Sequence, residues 1–313
     1  MPSRIAEHPF PSDQWLYVTP DFIVGQFKLP AIAPEWSLEN QIGSPWPIVA
    51  FPTVPVWITH EGGEPFVADP SVAVLYQPKH RYRRGLVDAA GDACIYLTFS
   101  PRLARAIWAE FDPAIQDRAE LSFGRSTAAI EPGTYFRHAL LAQRLRSGVC
   151  RDPEPEHLAV EEAVHDLLRR TASGTWPDRS GRSPAERGGP HHRRATARAH
   201  RDVVEQARSL LSRDYAARLG LADIAAAVHV SPYHLARVFR DHTGMSMHSY
   251  RTRMRVLAGL RRLSSPQSDL TELAMDLGFA DHSHFSNSFR RVLGVPPSAV
   301  RSGRFETSTI LQA

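Results

Sequence analysis

The chain has 313 residues, 42% apolar and 22% charged, with a formal charge of +4; it is long enough for two domains with separate cores and too apolar for a disordered chain. Its most apolar run, Pro45 to Thr59, is broken by Pro45, Pro47, Pro52 and Pro55 and falls short of the roughly 20 residues of a membrane helix, while Met1 to Pro11 lacks the apolar core of a secretory signal. A cytoplasmic protein with no membrane partner is therefore expected, and Cys94 and Cys150, with no paired spacing for zinc, read as ordinary thiols of a reduced compartment.

The charge is unevenly spread. Met1 to His192 carries 19 Lys plus Arg against 23 Asp plus Glu, a balance of −4, whereas Arg193 to Ala313 carries 18 Arg against 10 acids, a balance of +8. A basic final third beside an acidic remainder suggests a polyanion as partner of that third, with a merely solvated basic surface as the alternative.

From Trp15 to Ser100 short apolar runs alternate with turn residues: Phe22 to Leu29, Ile48 to Phe51, Val54 to Thr59, Ser71 to Tyr76 and Ala93 to Phe99. His60-Glu61-Gly62-Gly63-Glu64 has the paired glycines of a hairpin, and the spacing predicts a small antiparallel barrel or sandwich. Ser100-Pro101 then reads as an N-cap and first helical position, ahead of an apolar face made by Leu103, Ala104, Ile107, Trp108 and Phe111. A second amphipathic stretch, Leu158 to Leu168, gathers Val160, Val164, Leu167 and Leu168, and is expected to form a dimer surface. Ala172 to Arg194 has glycines, prolines and serines among charges and no apolar period, the composition of a linker. Beyond it Val203, Ala207, Leu210 and Leu211 begin a helical region that continues to the end.

That region repeats itself. Ile224, Val228 and Val230 match Leu273, Leu277 and Phe279 at a shift of 49; Leu235, Phe239 and Gly244 match Phe285, Phe289 and Gly294 at a shift of 50, with Ala280 the added residue in the turn. Each copy has the grammar of a helix-turn-helix. Leu221 to Val228, the turn His229-Val230 and the cap Ser231-Pro232 make the first copy. Leu270 to Leu277, Gly278 and the cap Asp281 make the second. Gly278 suits the left-handed turn, and His229 in the same conformation would cost roughly 1–2 kcal/mol. Leu235, Phe239, Phe285 and Phe289 are assigned to the core, which leaves the opposite face of each second helix free.

The run from LADIAAAVHVSPYHLARVF to LTELAMDLGFADHSHFSNSFRRVLGVPPSAVR resembles the DNA-binding domain of AraC/XylS transcriptional regulators over about Ala199 to Arg301. Its most specific part is the second copy, where aliphatic-Ala-x-x-x-Gly-Phe, Phe-Ser-x-x-Phe-Arg and Gly-Val-Pro-Pro-Ser stand in family order. The resemblance implies two recognition helices in successive major grooves, with Tyr233, Ala236 and Arg237 of the first unit and His282, Ser283, His284, Ser286 and Asn287 of the second at the DNA. The chemistry agrees. Arg237 can offer two donors to guanine, Asn287 can pair with adenine and Ala236 can accept a thymine methyl. The alternatives are that Arg237 holds phosphate and that Ser283 or Ser286 only shapes the surface. Arg240, Arg251, Arg253, Arg255 and Arg290 are assigned to phosphate contacts or solvation.

The first half resembles the cupin-type sensor domains that precede this DNA-binding domain, which bind a small effector, dimerise, or both. Trp36, Trp46, Phe51, Trp57, Phe66, Tyr76 and Tyr82 could line a pocket or simply fill a core. The rival is a cupin-type metal enzyme fused to a DNA-binding domain, with His60, Glu64 and His80 as ligands. The His-x-His motif of such enzymes is missing, so no metal, cofactor or catalytic residue is expected, and His60 and Glu64 are read as exposed on the hairpin. The expectation is an α+β chain with a cupin-like β-barrel and packed helices over 1–171, a linker over 172–194, and an all-α domain with two helix-turn-helix units over 195–305. Its partners would be double-stranded DNA, a small effector and a second copy of itself, joined by RNA polymerase in the case of an activator.

Overall fold

The computed structural model describes residues 14–147, 155–175, 190–263 and 269–302. Met1 to Pro11, Cys150 and the middle of the expected linker lie outside them. Two compact units divide the chain, one ending at Trp176 and the other running from Pro177 to Arg301.

The first unit is built on antiparallel strands. One sheet has six strands in the order β1 (Trp15–Val18), β2 (Phe22–Leu29), β9 (Asp92–Phe99), β4 (Ile48–Val54), β7 (Val72–Tyr76) and β10 (Thr127–Ala129). The other has four, in the order β3 (Asn40–Gln41), β8 (Arg81–Leu86), β5 (Val56–His60) and β6 (Phe66–Ala68). Among the described residues no ladder joins the two sheets, so the expected barrel is not closed. The cause is local: Pro55, which has no N–H to donate, separates β4 from β5, and the chain leaves one sheet for the other at that residue.

Strand alternation then decides what each face meets. Ile48 and Ala50 of β4, Val74 and Tyr76 of β7 and Tyr96 of β9 share one core with Val56 and Ile58 of β5 and Tyr82 of β8. Phe51 turns the other way and stacks on His138 at 4.8 Å, so β4 is buried on both faces and shows no polar alternation. Three helices cover that second face: α1 (Pro101–Trp108), α2 (Pro132–Arg146) and α3 (Pro155–Thr175). Ser100 caps α1 as expected, its hydroxyl accepting from the Leu103 N–H at 3.2 Å, and Leu103, Ala104, Ile107 and Trp108 are buried behind it. The hairpin also forms where expected, with Gly62 at φ +72° between β5 and β6.

Three expectations need correction. The Leu158 to Leu168 stretch lies on α3, but Val160, Val164, Leu167 and Leu168 are buried within the unit, Val164 and Leu168 completely, and Leu158 alone of the named residues is exposed. That stripe is the unit's own core. The linker is shorter than 172–194, because Ala172 to Thr175 continue α3 with Ala172 and Thr175 buried, and a helix has begun by Pro190. His60 is not exposed on the hairpin: it occupies an inward position of β5, 5% exposed and stacked on His80 at 4.8 Å. Burial, aided by His80, pulls its pKa down to about 4. His60, Glu64 and His80 are not brought together as ligands, and the described residues hold no cluster of three His, Cys, Asp or Glu able to bind a metal.

Candidate nucleic-acid interface

Among its described residues the second unit has helices and no strand: α4 (Pro190–Arg213), α5 (Leu221–Ala227), α6 (Pro232–Thr243), α7 (Met247–Leu263), α8 (Leu270–Asp276), α9 (His282–Leu293) and α10 (Pro297–Arg301). The two repeats fold alike. In the first, Asp223 Oδ2 accepts from the Gly220 N–H to start α5, and the Ser231 hydroxyl accepts from the His234 N–H to start α6. In the second, Asp269 and Asp281 do the same for α8 and α9, accepting from the N–H groups of Thr271 and His284. Both second helices end on a left-handed glycine, Gly244 and Gly294.

The turns differ in one respect that the sequence anticipates. Gly278 has φ +81° and His229 has φ +57°, the same left-handed conformation in a residue with a Cβ. At Gly278 a Cβ would lie 2.4 Å from the carbonyl oxygen of Ala216, so space as well as dihedral requires glycine there. Leu235, Phe239, Phe285 and Phe289 are all completely buried, as are Ala274 and Leu277. Packing them fixes the opposite faces of α6 and α9 outward.

Those faces carry the residues assigned to DNA. Tyr233 is 81% exposed, a large aromatic ring held in water. Arg237 follows one turn later and is exposed, with Ala236 half-buried beside it. On α9 Ser283, His284 and Asn287 are exposed, and His282 and Ser286 are half-buried and joined by a 3.3 Å hydrogen bond. Arg237, Arg240 and Arg290 have no ion pair among the described residues, and Asn287 has no hydrogen bond there. His284 also packs edge-on against Phe279 at 5.2 Å.

Three of the five arginines assigned to phosphate are engaged inside the unit. Arg255 Nε donates to the Tyr215 carbonyl at 2.6 Å, its Nη2 reaches the carbonyls of Ala216 and Ala217, and its guanidinium lies 5.7 Å from the centre of the Phe279 ring. Arg251 donates to the Leu219 carbonyl. Arg253 is buried. Backbone carbonyls in the segment between α4 and α5 need donors, and α7 supplies them. The signal was available in the register: Arg251 and Arg255 are four residues apart, one turn along a single face.

The first unit contains a feature that sequence reading missed. A cavity of about 40 Å³ lies between the two sheets, bordered by Tyr76, Tyr82, Tyr96, Arg84, Asp92 and Cys94 together with aliphatic side chains. Of the seven candidate aromatics, Tyr76 and Tyr82 line it, Trp36 and Phe66 pack against the surrounding core, and Phe51 points away. Trp46 and Trp57 are half-buried and outside it. Arg84 shares the inward register of Tyr82, two residues earlier, and Asp92 that of Cys94 and Tyr96.

This duplicated helical fold defines the class: residues 224–303 match the helix-turn-helix domain family. Over 107 residues, 34% of this chain, the sequence is 29% identical to the transcriptional activator RhaS of Pectobacterium carotovorum, of whose length the match spans 38%. Over 251 residues, 79% of this chain, it is 26% identical to the arabinose operon regulatory protein of Salmonella typhimurium, spanning 80% of that protein. A solved AraC-type regulator from Chromobacterium violaceum is 24% identical and covers 36% of this chain and 97% of its own, at a TM-score of 0.32. These likenesses are to transcriptional regulators of the AraC type, and the helix-turn-helix match over residues 224–303 lies within the duplicated helical unit. Among its described residues no helix is long and apolar enough to cross a membrane.

Proposed function

We propose that the chain regulates transcription by reading DNA with α6 and α9 and is controlled by a small molecule held in its two-sheet unit. The observation that carries this reading is the pair of exposed helix faces on one duplicated scaffold, with Arg237 and Asn287 exposed at equivalent positions. A guanidinium and a carboxamide so placed offer bidentate hydrogen bonds to guanine and adenine respectively. Tyr233, Ala236, His282, Ser283, His284 and Ser286 complete the contact set, and Arg240 and Arg290, one turn further on, reach the flanking phosphates. The helical unit from about Pro190 onward is the DNA-binding domain, and the two-sheet unit, to about Thr175, is the cupin-like sensor. One relative is named a transcriptional activator and another an operon regulatory protein; by that likeness this protein acts on promoter DNA, with RNA polymerase as a further partner in activation, and we take it to work in the cytoplasm as a dimer.

Selection of bound sequences from random DNA, followed by a gel shift on the enriched site, tests the reading. An enriched motif about two half-elements long is expected. A purified, folded protein that enriches no motif overturns it.

A further inference from the structure

Arg84 is enclosed between strands, its side chain 6% exposed, beside a largely apolar core cluster. A buried guanidinium is costly unless its donors are matched, and here they are not all matched. Nη2 donates to the Tyr82 hydroxyl at 2.5 Å. The Nε group has no hydrogen-bond partner, and its nearest anion, Asp92 Oδ2, stands 3.7 Å away, outside hydrogen-bond range. The plane of the guanidinium is held by two rings, Phe27 at 4.7 Å and Tyr82 at 5.3 Å. A guanidinium with an open Nε donor therefore borders the cavity, and Ile48, Ala50, Ile58 and Val74 form an apolar wall to the same cavity.

We propose that this cavity, of about 40 Å³, binds a small short-chain carboxylate, whose carboxylate takes the Arg84 fork and displaces the side chain of Asp92 from it. A planar anion with two oxygens matches the guanidinium bidentately, whereas a cation is repelled by Arg84 and a neutral alcohol or amide supplies a weaker acceptor. The short hydrocarbon end lies against the aliphatic wall. The proposal deepens the regulatory reading above, on which its meaning as an effector site rests.

Displacing Asp92 leaves two carboxylates beside one guanidinium, and one of them takes a proton. Asp92 is suited to that role. Burial already raises its pKa to about 6 against the opposing pull of Arg84, and the other groups facing it are Tyr76, Tyr82 and Cys94, which burial keeps protonated. Binding therefore takes up close to one proton above pH 6, and affinity falls as pH rises from there.

Calorimetric titration of the full-length protein with propionate, propionamide and octanoate provides the test. Propionate should bind about tenfold or more tightly than propionamide, octanoate no more tightly than propionate, and heats in buffers of different ionisation enthalpy should report the proton uptake. Asp92→Asn should keep propionate binding and abolish the uptake; Arg84→Gln should erase the preference over propionamide. Should Arg84→Gln unfold, the wild-type comparison decides alone. Equal affinities for propionate and propionamide, tighter binding of octanoate, or no propionate heat would each overturn the proposal. A gel shift on the selected DNA site separates the two readings: loss of propionate binding with DNA binding intact refutes only the carboxylate site, and the reverse refutes only the regulator.

Discussion

Arg237 and Arg255 belong to one basic unit yet should respond to alanine in opposite ways. Arg237 is exposed and free of ion pairs, so Arg237→Ala should leave stability unchanged and cost about 1–3 kcal/mol of specific DNA affinity, with preference relaxed in one half-element. Asn287→Ala should do the same in the other half-element. Selected-site sequencing at fixed salt checks both, and relaxation of the same positions by the two variants would refute their assignment to separate helices. Arg255 instead donates to carbonyls between α4 and α5. Arg255→Ala should destabilise the helical unit by about 1–3 kcal/mol while the salt dependence of DNA binding keeps its slope, as a lost phosphate contact would not allow. His229 offers a gain in the other direction. Its left-handed backbone costs roughly 1–2 kcal/mol; glycine relieves that strain, and the greater freedom it gives the unfolded chain offsets part of the gain, so His229→Gly should raise stability by about 0.5–1 kcal/mol in urea denaturation; a decrease would mean that the imidazole makes a contact outweighing the strain.

At the level of elements, what was legible in the sequence is what depends on local chemistry. The caps at Ser100, Ser231 and Asp281, the left-handed turn at Gly278 and the core set Leu235, Phe239, Phe285 and Phe289 follow from side-chain hydrogen bonds, φ preference and helical period, all written within a few residues. What was not legible depends on what covers a surface. The apolar stripe of α3 carries no mark saying whether a second copy or the chain's own sheet lies against it, and β10 and α2 turn out to do so. Arg84 and Asp92 were hidden for a related reason: a charged residue in a strand reads as outward-facing, and only pairing of β8 with β5 reveals that Arg84 shares the face of the core. The same difference yields a test. Val164→Glu or Leu168→Glu should unfold the first unit, since an uncompensated carboxylate in a sealed core costs several kcal/mol, about 3–5, rather than convert a dimer into a folded monomer. Near-ultraviolet circular dichroism with sedimentation separates these outcomes, and a folded monomeric variant would restore α3 as an interface.

For the molecule as a whole, the two units should separate by pH. All six tryptophans precede residue 177, so tryptophan fluorescence follows the sheet unit within the intact chain. That unit buries two neutral histidines. His138 donates Nδ1–H to the Tyr135 carbonyl at 2.6 Å, and burial lowers its pKa from 6.5 to about 3; His60 is lowered from 6.5 to about 4. For each, the unfolded chain binds the proton first, so their contribution is present above pH 6.5 and is lost as pH falls toward the folded-state values. Asp92 acts in the opposite sense. Its pKa is raised from 3.8 to about 6, the folded state holds the extra proton, and stability rises as pH falls through that window. Two histidines against one carboxylate leave a net loss, on the order of 3 kcal/mol between pH 7 and pH 4.5. The urea midpoint read by tryptophan fluorescence should therefore drop over that interval, and Asp92→Asn, which removes the compensating group, should steepen the drop. His138→Phe, which retains the contact with Phe51 and cannot take up a proton, should make it shallower. A wild-type midpoint that is unchanged or higher at pH 4.5 would show that the imidazoles reach solvent and that the two-sheet core is looser than its packing indicates.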